Sequence, residues 1–287
     1  MAIKISIQLL LLMELRFKMS RIKQVLSDLE AIGKKALIPY ITGGDPEPGL
    51  TVDIMHTLVD AGSDIIELGV PFSDPMADGP VIQLACERAL KHHVSLNDIF
   101  SMVKEFRKTN QNTPVVLMGY LNPLEKKGYE KFAKEAAEAG VDGALIVDLP
   151  PEEADTLVPF LKQYGLDSIF LIAPTTTDSR IDYICEHSTG YVYYVSVKGV
   201  TGSAAISSKD VSEKVALIHK NNQIPVGVGF GIRDAASAAE ISKSANGVIV
   251  GSVIVNLIAE NQDNPEKLKY EVKALVSSMR KAMDLVE

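Results

Sequence analysis

The sequence predicts a single (β/α)8 barrel preceded by an extra N-terminal helix. Eight short apolar runs alternate with longer amphipathic segments, the order expected of parallel strands joined by helices. Segments 61–64, 139–142 and 164–167 each carry glycine at their second position and each link a helix to a strand. Glycine at such a position is typical of a left-handed helix end. No change in composition divides the chain, which favours a barrel over a doubly wound sheet.

The predicted strands are short runs of apolar residues at successive positions, as expected of parallel strands covered on both faces. They are bounded by glycine, proline or polar residues, which separates them from the longer helical segments. In order, they cover residues 36–41, 64–68, 115–118, 143–147, 168–172, 191–195, 225–228 and 247–250.

The predicted helices are longer segments between these runs, and a first helix at 20–32 is expected to plug the N-terminal end of the barrel. Asp178, Ser207–Ser208 and Asp234 are suitable helix caps, and Pro80 and Pro265 suit a first turn. After the first, the helices cover residues 48–61, 80–91, 96–108, 129–139, 152–163, 179–186, 209–220, 234–242 and 265–283.

The composition suits an ordinary globular domain with one large core, since 46% of the 287 residues are hydrophobic and 23% are charged. The net charge of −8 argues against a nucleic-acid partner, which requires a basic face. The only cysteines, Cys86 and Cys185, predict no disulfide framework. A reducing cytoplasm is the simplest location for such a chain.

The first 18 residues form an extension of uncertain role, and residues 19–287 are predicted to form the catalytic barrel. Residues 7–13 are apolar and follow Lys4, a weak signal-peptide pattern, but the run is too short to span a membrane. Charged residues follow at once, without a small-residue cleavage site. The extension is therefore interpreted either as a helix packed on the domain or as a stretch before a natural start at Met19. No membrane partner is expected.

The carboxyl ends of the strands face the active site in a barrel. Two kinds of residue occur at these ends in the sequence: a carboxylate and tyrosine group among apolar residues, and a set of glycine-rich turns. Those at or just after a strand end include Tyr40, Glu67, Met118, Tyr120, Asp148, Tyr193, Gly231, Gly251 and Ser252.

The glycine-rich turns follow the sixth, seventh and eighth strands, at residues 199–202, 229–231 and 251–252. Glycine lets a ligand approach the backbone, whose N–H groups then bind an anion, and a following helix adds its positive end. The turns therefore predict a phosphate site, although tight turns alone are the alternative. A dinucleotide fingerprint is disfavoured because Ile232 stands where it needs glycine.

Glu67 ends a buried strand, so desolvation is expected to raise its pKa and let it donate a proton near neutral pH. A salt bridge to a barrel cation is the alternative, but no basic residue stands at a matching strand end. Asp78 precedes Gly79 and Pro80 and is equally interpretable as a helix cap. Asp74 suits a turn before proline.

The aromatic residues at the strand ends have two interpretations each. By alternation Tyr193 faces the same side as Tyr191, and it is either a core tyrosine or a catalytic one. A flat slot for an aromatic ring is predicted from Tyr40, Met118, Tyr120 and Phe230, with core filling as the alternative. No metal site is predicted, because the five histidines are scattered and neither cysteine has ligand spacing.

The stretch Glu-Leu-Gly-Val-Pro-Phe-Ser-Asp-Pro-Met-Ala-Asp-Gly-Pro at 67–80 closely resembles the signature of tryptophan synthase α subunits, which are indole-3-glycerol phosphate lyases. The glycine turns at 199–202, 229–231 and 251–252 match the same family. The resemblance implies a TIM barrel that cleaves indole-3-glycerol phosphate to indole and glyceraldehyde 3-phosphate. It also implies that this subunit needs no cofactor.

The resemblance also implies roles for single residues. Glu67 corresponds to the general acid/base that protonates indole C3, and Asp78 to the group that hydrogen-bonds the indole N–H. Tyr193 corresponds to a tyrosine near the reacting centre. Thr201 lies in a mobile loop and meets the aspartate corresponding to Asp148 when that loop closes. The phosphate cradle corresponds to Gly202, Gly231, Gly251 and Ser252.

The family implies a partner, a pyridoxal-phosphate β subunit, in an assembly of two α and two β subunits. Pro71, Asp74 and residues 122–123 match segments near that interface. Some members of the family carry an arginine directly after the serine that corresponds to Ser196, where this chain has Val197-Lys198. The resemblance therefore does not predict how this loop contacts the phosphate or the partner. Three alternatives remain: another phosphosugar barrel enzyme, a silent module that only binds β, and a lyase independent of β.

Overall fold

The computed structural model describes residues 19–196, 208–229 and 231–286. Eight parallel strands close into a barrel in sequence order, with the last strand paired to the first. The (β/α)8 fold is therefore confirmed. The strands are β1 (Ala36–Thr42), β2 (Ile66–Gly69), β3 (Val115–Gly119), β4 (Gly143–Ile146), β5 (Asp167–Ile172), β6 (Val192–Val195), β7 (Val226–Gly229) and β8 (Gly247–Val250).

The helices surround this barrel, and their apolar faces pack with the outer faces of the strands in one large core. Two 3₁₀ turns, Pro48–Leu50 and Pro151–Thr156, precede the second and seventh helices. The helices are α1 (Arg21–Ala31), α2 (Thr51–Asp60), α3 (Pro80–Lys91), α4 (Leu96–Arg107), α5 (Leu121–Lys127), α6 (Tyr129–Ala139), α7 (Val158–Gln163), α8 (Asp178–His187), α9 (Ser208–His219), α10 (Ala235–Ser242), α11 (Ser252–Glu260) and α12 (Pro265–Met283).

Two helices, α5 and α11, were not predicted. The α5 segment is only seven residues long, too short for a clear helical period. The α11 segment continues an apolar, β-branched run, which periodicity alone does not distinguish from a buried strand. The single helix predicted at 152–163 is instead a 3₁₀ turn followed by the short α7.

Among the residues predicted at helix starts, Asp234, Pro80 and Pro265 are confirmed, whereas Asp178 is not a cap and Ser208 is the first helical residue of α9. Asp234 caps α10, since its Oδ1 accepts from the Ser237 N–H at 2.8 Å, and Pro80 and Pro265 occupy first turns. The prediction for Asp178 is wrong: Thr177 is the N-cap of α8, and Asp178 is the first helical residue. Ser207 and residues 1–18 lie outside the described residues, so the boundary at residue 19 stays a prediction.

Helix α1 plugs the amino end of the barrel, as predicted. Ile22 is fully buried and packs with interior strand residues such as Ile38 and Ile169. A Cβ atom on Gly143 would lie 3.1 Å from Ile22 Cδ1, so this strand start has no room for a larger side chain. The barrel is therefore closed at this end, and any ligand must enter at the carboxyl ends.

Four pairs of neighbouring strands share the same reciprocal contact near their amino ends, which we call a strand clamp. Each clamp joins a residue that precedes an even-numbered strand to a residue near the start of the odd-numbered strand before it. The backbone N–H of the first residue donates to the carbonyl of the second. The side chain of the first residue accepts the backbone N–H of the second. The clamps are Asp64–Leu37, Asp142–Val115, Thr189–Ser168 and Asn246–Val226, with both bonds at 2.8–2.9 Å.

Asp142 binds two arginines in addition to its clamp partner Val115. Its Oδ2 also accepts from Arg107 Nη2 at 2.7 Å, and its Oδ1 accepts from Arg21 Nη1 of the plug helix at 2.6 Å. Burial raises the pKa of Asp142, while the two arginines oppose that rise. One buried carboxylate thus connects β3, β4, α4 and α1.

We expect Asp142→Ala to lower the free energy of unfolding by about 3 kcal/mol, because it leaves Arg107 buried without its anion. Chemical denaturation measures this loss. The control is Glu152→Ala, which removes an exposed pair with Arg180 and is expected to cost less than about 1 kcal/mol. Equal losses in the two variants would contradict the special role of the clamp.

Candidate active site

A cavity of about 560 Å³ lies at the carboxyl ends of the strands, within the size range of small-molecule sites. It gathers residues from β1, β2, β3, β5, β6, β8 and the loops and helices that follow the strands. The predicted site residues in its lining are Tyr40, Glu67, Asp78, Met118, Tyr193, Gly231, Gly251 and Ser252. Thr201, Gly202 and Phe230 lie outside the described residues.

Glu67 is completely buried in β2. Its Oε1 accepts a hydrogen bond from the Tyr191 hydroxyl at 2.5 Å, whereas its Oε2 has no partner among the residues described. No ion pair between described residues includes Glu67, so the salt-bridge alternative finds no support. Burial raises the pKa of Glu67 from its ordinary value of 4.5 to about 7, although the hydrogen bond from Tyr191 by itself lowers that pKa. Glu67 can therefore gain or lose a proton near neutral pH.

Asp78 lies in the loop after β2 and is half-buried at the cavity. Its Oδ2 accepts from the Tyr120 hydroxyl at 2.8 Å, and that hydroxyl in turn accepts the Ala77 N–H at 3.0 Å. Burial raises the pKa of Asp78, and the Tyr120 hydrogen bond lowers it. The helix-cap alternative is not supported, because the N-cap of α3 is Gly79. Tyr120 thus orients a carboxylate with one oxygen left for a ligand.

Two tyrosine rings lie across neighbouring strands, at positions where those strands carry glycine. A Cβ atom on Gly69 would come within 2.2 Å of the Tyr40 hydroxyl, and one on Gly229 within 2.2 Å of the Tyr193 hydroxyl. The predicted interior position of Tyr193 is confirmed. Glycine at the ends of β2 and β7 therefore makes room for the tyrosines that form part of the cavity wall.

Opposite these polar groups, the cavity has an apolar wall. Met118 belongs to it as predicted, together with Val147, Leu171, Val195 and Ile249. Tyr120, in contrast, is not among the described residues that line the cavity. Its hydroxyl binds Asp78 and its ring stacks on Phe72, with centroids 5.3 Å apart. A flat aromatic ligand fits such a wall.

The other end of the cavity is shaped for an anion. Gly231 has a φ of 79°, which favours glycine. Gly251 is the N-cap of α11, and no side-chain cap from the described residues covers that helix end. Ser252 and Val253, in the first turn, line the cavity. Free N–H groups and the positive end of a helix are a ready anion site.

Asp148 is placed elsewhere. Its Oδ1 accepts the Leu121 N–H at 2.8 Å, at the amino end of α5, and it is not among the described lining residues of the cavity. Its contact with Thr201 stays a prediction, because Thr201 lies outside the described part of the chain.

Three residues at or near the cavity were not predicted to act there. Tyr191, the residue before β6, reaches Glu67 of β2 across the barrel, and a contact between such distant segments has no local signal in the sequence. Arg233 and Asn256 line the cavity; Asn256 belongs to the unpredicted α11, whereas Arg233 follows a glycine turn and was recognisable. Within the described ranges no group of three or more His, Cys, Asp or Glu residues is suited to a metal ion.

Comparisons with known proteins agree on one family. A sequence model described as tryptophan synthase alpha chain matches residues 26–284. The tryptophan synthase alpha chain of Marinobacter nauticus is 64% identical over 93% of this chain and 98% of its own. That of Thioalkalivibrio sulfidiphilus is 60% identical over 93% and 100%. A crystal structure of tryptophan synthase subunit alpha from Legionella pneumophila has a TM-score of 0.87 at 47% identity, covering 93% of this chain and 99% of its own.

We expect the stability difference between Glu67→Gln and the unsubstituted protein to depend on pH. Since the folded pKa of Glu67 is raised from 4.5 to about 7, its ionisation destabilises the fold progressively as the pH rises through that window. Glutamine cannot ionise. Relative to the unsubstituted protein, the free energy of unfolding of the variant should therefore be higher by on the order of 2–3 kcal/mol above pH 7 and almost equal near pH 4.5.

Chemical denaturation at pH 4.5 and pH 8 measures this gain. Glu87→Gln removes an exposed glutamate of α3 and is the matched control, with the same stability difference at both pH values. A pH-independent difference for Glu67→Gln would contradict the raised pKa.

Proposed function

The chain belongs to the tryptophan synthase alpha chain family, whose reaction cleaves indole-3-glycerol phosphate to indole and glyceraldehyde 3-phosphate. We propose that Glu67 transfers the protons of that reaction and that Asp78 binds the indole N–H. The chain is thus a carbon–carbon lyase of tryptophan biosynthesis. The observation that carries the assignment of roles is the isolated, fully buried Glu67 carboxyl at the cavity, with one oxygen bound by Tyr191 and one without a partner among the described residues.

Glu67 is the group that transfers a proton to indole C3. With a pKa of about 7 it is partly protonated at neutral pH, so it can give a proton to carbon and then act as a carboxylate base. Tyr191 orients the carboxyl through Oε1, which leaves Oε2 for the substrate. An exposed glutamate would be almost fully ionised at this pH and would have no proton to donate.

Asp78 is the group that binds the indole N–H. The Tyr120 hydroxyl occupies its Oδ2, so Oδ1 is left to accept from the ring nitrogen. When C3 is protonated, the ring becomes a cation centred on that nitrogen, and a neighbouring carboxylate stabilises it. The apolar wall around Met118 holds the ring and excludes water, which strengthens this interaction.

The cleavage then follows with balanced protons. Glu67 protonates C3, and the hydroxyl on the attached glycerol carbon loses its proton to the Glu67 carboxylate. The oxygen electrons form the aldehyde, the carbon–carbon bond breaks, and its electron pair neutralises the ring. Indole and glyceraldehyde 3-phosphate leave, and Glu67 is protonated again. Tyr193 lies beside this centre as a wall and positioning group.

The phosphate of the substrate binds at the glycine end of the cavity. Gly231, Gly251 and Ser252, with the uncapped amino end of α11, supply N–H groups for it. The family resemblance adds Gly202 to this cradle and Thr201 to a closing loop that meets Asp148, and the sequence pattern adds Phe230 to the ring wall; all three lie outside the described residues. A closing loop over the substrate would keep water away from the reacting atoms.

The α reaction needs no bound cofactor, and the partner is a β subunit that holds pyridoxal phosphate and uses the indole. We place its docking surface on the loop between β2 and α3, in an assembly of two α and two β subunits. Met76 in this loop is 76% exposed although apolar, and Asp74 is exposed beside it. Because the same loop carries Asp78, docking there can affect the chemistry directly.

The cytoplasm is the expected location. The free cysteines Cys86 and Cys185 are both buried and unpaired as thiols, as suits a reducing compartment. No helix within the described ranges is long and apolar enough to cross a bilayer.

Indole release from indole-3-glycerol phosphate tests the catalytic roles. We expect Glu67→Gln to lower kcat by roughly 10²–10⁴-fold, the usual worth of a placed proton transfer, and Asp78→Asn to lower it as well, with and without β subunit. Glu87→Gln is the control and should keep full activity. An active Glu67→Gln variant would refute the acid/base role.

The same assay separates two other interpretations of the chain. Stimulation of β without any cleavage would identify a silent binding module, and full turnover without β would identify an independent lyase.

Tyr191→Phe should move the Glu67-dependent limb of the pH profile of kcat/KM to higher pH. The substitution removes the hydrogen bond that lowers the pKa of Glu67, so the carboxyl ionises later. Tyr194→Phe, three residues further along in β6, is the matched control, because Tyr194 packs in the outer core. An unchanged pH profile in Tyr191→Phe, or an equal shift in both variants, would contradict this role.

A further inference from the structure

Arg233 is the only basic residue among the described residues that line the cavity. The carboxyl groups among the lining residues are those of Glu67 and Asp78. The whole chain has a net charge of −8. A phosphate-bearing substrate therefore approaches an acidic protein and an acidic cavity, and electrostatic repulsion opposes its entry. Arg233 is the one lining side chain of the described part that can offset this.

Within the described ranges, the side chain of Arg233 makes no ion pair and no hydrogen bond, although its charge contributes to lowering the pKa of Asp234. It is exposed, and none of the ion pairs between described residues includes it. The backbone around it is held firmly: the Arg233 N–H donates to Ser237 Oγ at 3.0 Å, and the Asp234 carboxylate accepts the Ser237 N–H at 2.8 Å. Asp234 Oδ1 is thus occupied as a helix cap, and the exposed guanidinium of Arg233 forms no ion pair with that carboxylate within the described residues.

The position of Arg233 suits a phosphate. It follows Gly231 by two residues, and both line the cavity together with the uncapped amino end of α11, at Ser252 and Val253. The N–H groups at that end bind an anion without carrying a full charge. A guanidinium adds the full positive charge and a planar pair of donors that matches phosphate oxygens.

We propose that Arg233 is a substrate-binding residue whose guanidinium pairs with the phosphate of indole-3-glycerol phosphate at the mouth of the cavity. This inference rests on the proposed phosphate position at the glycine end. The pair forms at the end of the substrate remote from the breaking bond, so it contributes equally to the ground state and the transition state. It should therefore affect KM rather than kcat.

Steady-state cleavage by the full chain gives the first test. We expect Arg233→Gln to raise KM roughly three- to tenfold, since an exposed charged pair is partly screened by solvent, and to leave kcat within about twofold. Arg233→Lys should recover part of the loss. Lys281→Gln, which removes one exposed charge of α12, is the matched control and should leave KM unchanged. A fall in kcat at unchanged KM would overturn the inference.

A binding comparison separates this inference from the phosphate position itself. The probes are an indole with a three-carbon chain ending in phosphate and the same compound ending in hydroxyl. Arg233→Gln should weaken binding of the phosphate probe by the factor seen in KM and leave the hydroxyl probe unaffected. High salt should weaken the phosphate probe less in Arg233→Gln than in the unsubstituted protein.

Gly251→Ala supplies the comparison variant, because its Cβ has room in the fold, 3.7 Å from Tyr40 Cβ, yet would approach a phosphate at the helix end. One outcome is that Gly251→Ala weakens binding of the phosphate probe more than that of the hydroxyl probe, while Arg233→Gln weakens both equally or neither. In that case the Arg233 inference fails and the phosphate position stands. If neither variant discriminates, the phosphate position fails and the inference fails with it. Discrimination by Arg233→Gln in both assays supports it.

Discussion

The strand clamps near the amino ends of the barrel are the constraint on which the rest of the structure depends. Each joins an odd-numbered strand to the next one through a reciprocal pair of hydrogen bonds, at Asp64, Asp142, Thr189 and Asn246. A slip of one residue would turn every side chain of a strand from the interior to the outer face. Because the clamps secure the register at one end, they decide which side chains meet at the other, where the cavity lies.

The Glu67 carboxyl titrates near neutral pH because no cation among the described residues pairs with it. Glu67 is buried among apolar side chains, and burial outweighs the Tyr191 hydrogen bond in determining its pKa. The clamp carboxylates at the amino end differ, since arginines accompany the buried Asp142 and the half-buried Asp64. Arginine thus stabilises these two carboxylates, whereas ionisation of Glu67 lowers the stability of the fold as the pH rises towards 7.

The cavity has two chemically different ends, and glycine shapes both. At one end, Gly69 and Gly229 make room for Tyr40 and Tyr193 beside the apolar wall. At the other, Gly231 and Gly251 expose backbone N–H groups next to the only lining cation of the described residues, Arg233. Such a lining suits an extended ligand with a neutral ring at one end and an anion at the other.

The sequence by itself determined the barrel, the plug helix, and the assignment of Glu67, Tyr193 and the glycine turns to the carboxyl ends, because strand and helix periods and turn residues are local signals. The tertiary structure alone decided the contacts between distant segments. The Tyr191–Glu67 bond crosses the barrel, Tyr120 turns from the ring slot to orient Asp78, and α11 presents its uncapped end to the cavity. Such contacts depend on barrel closure and strand register, which no local pattern of residues records.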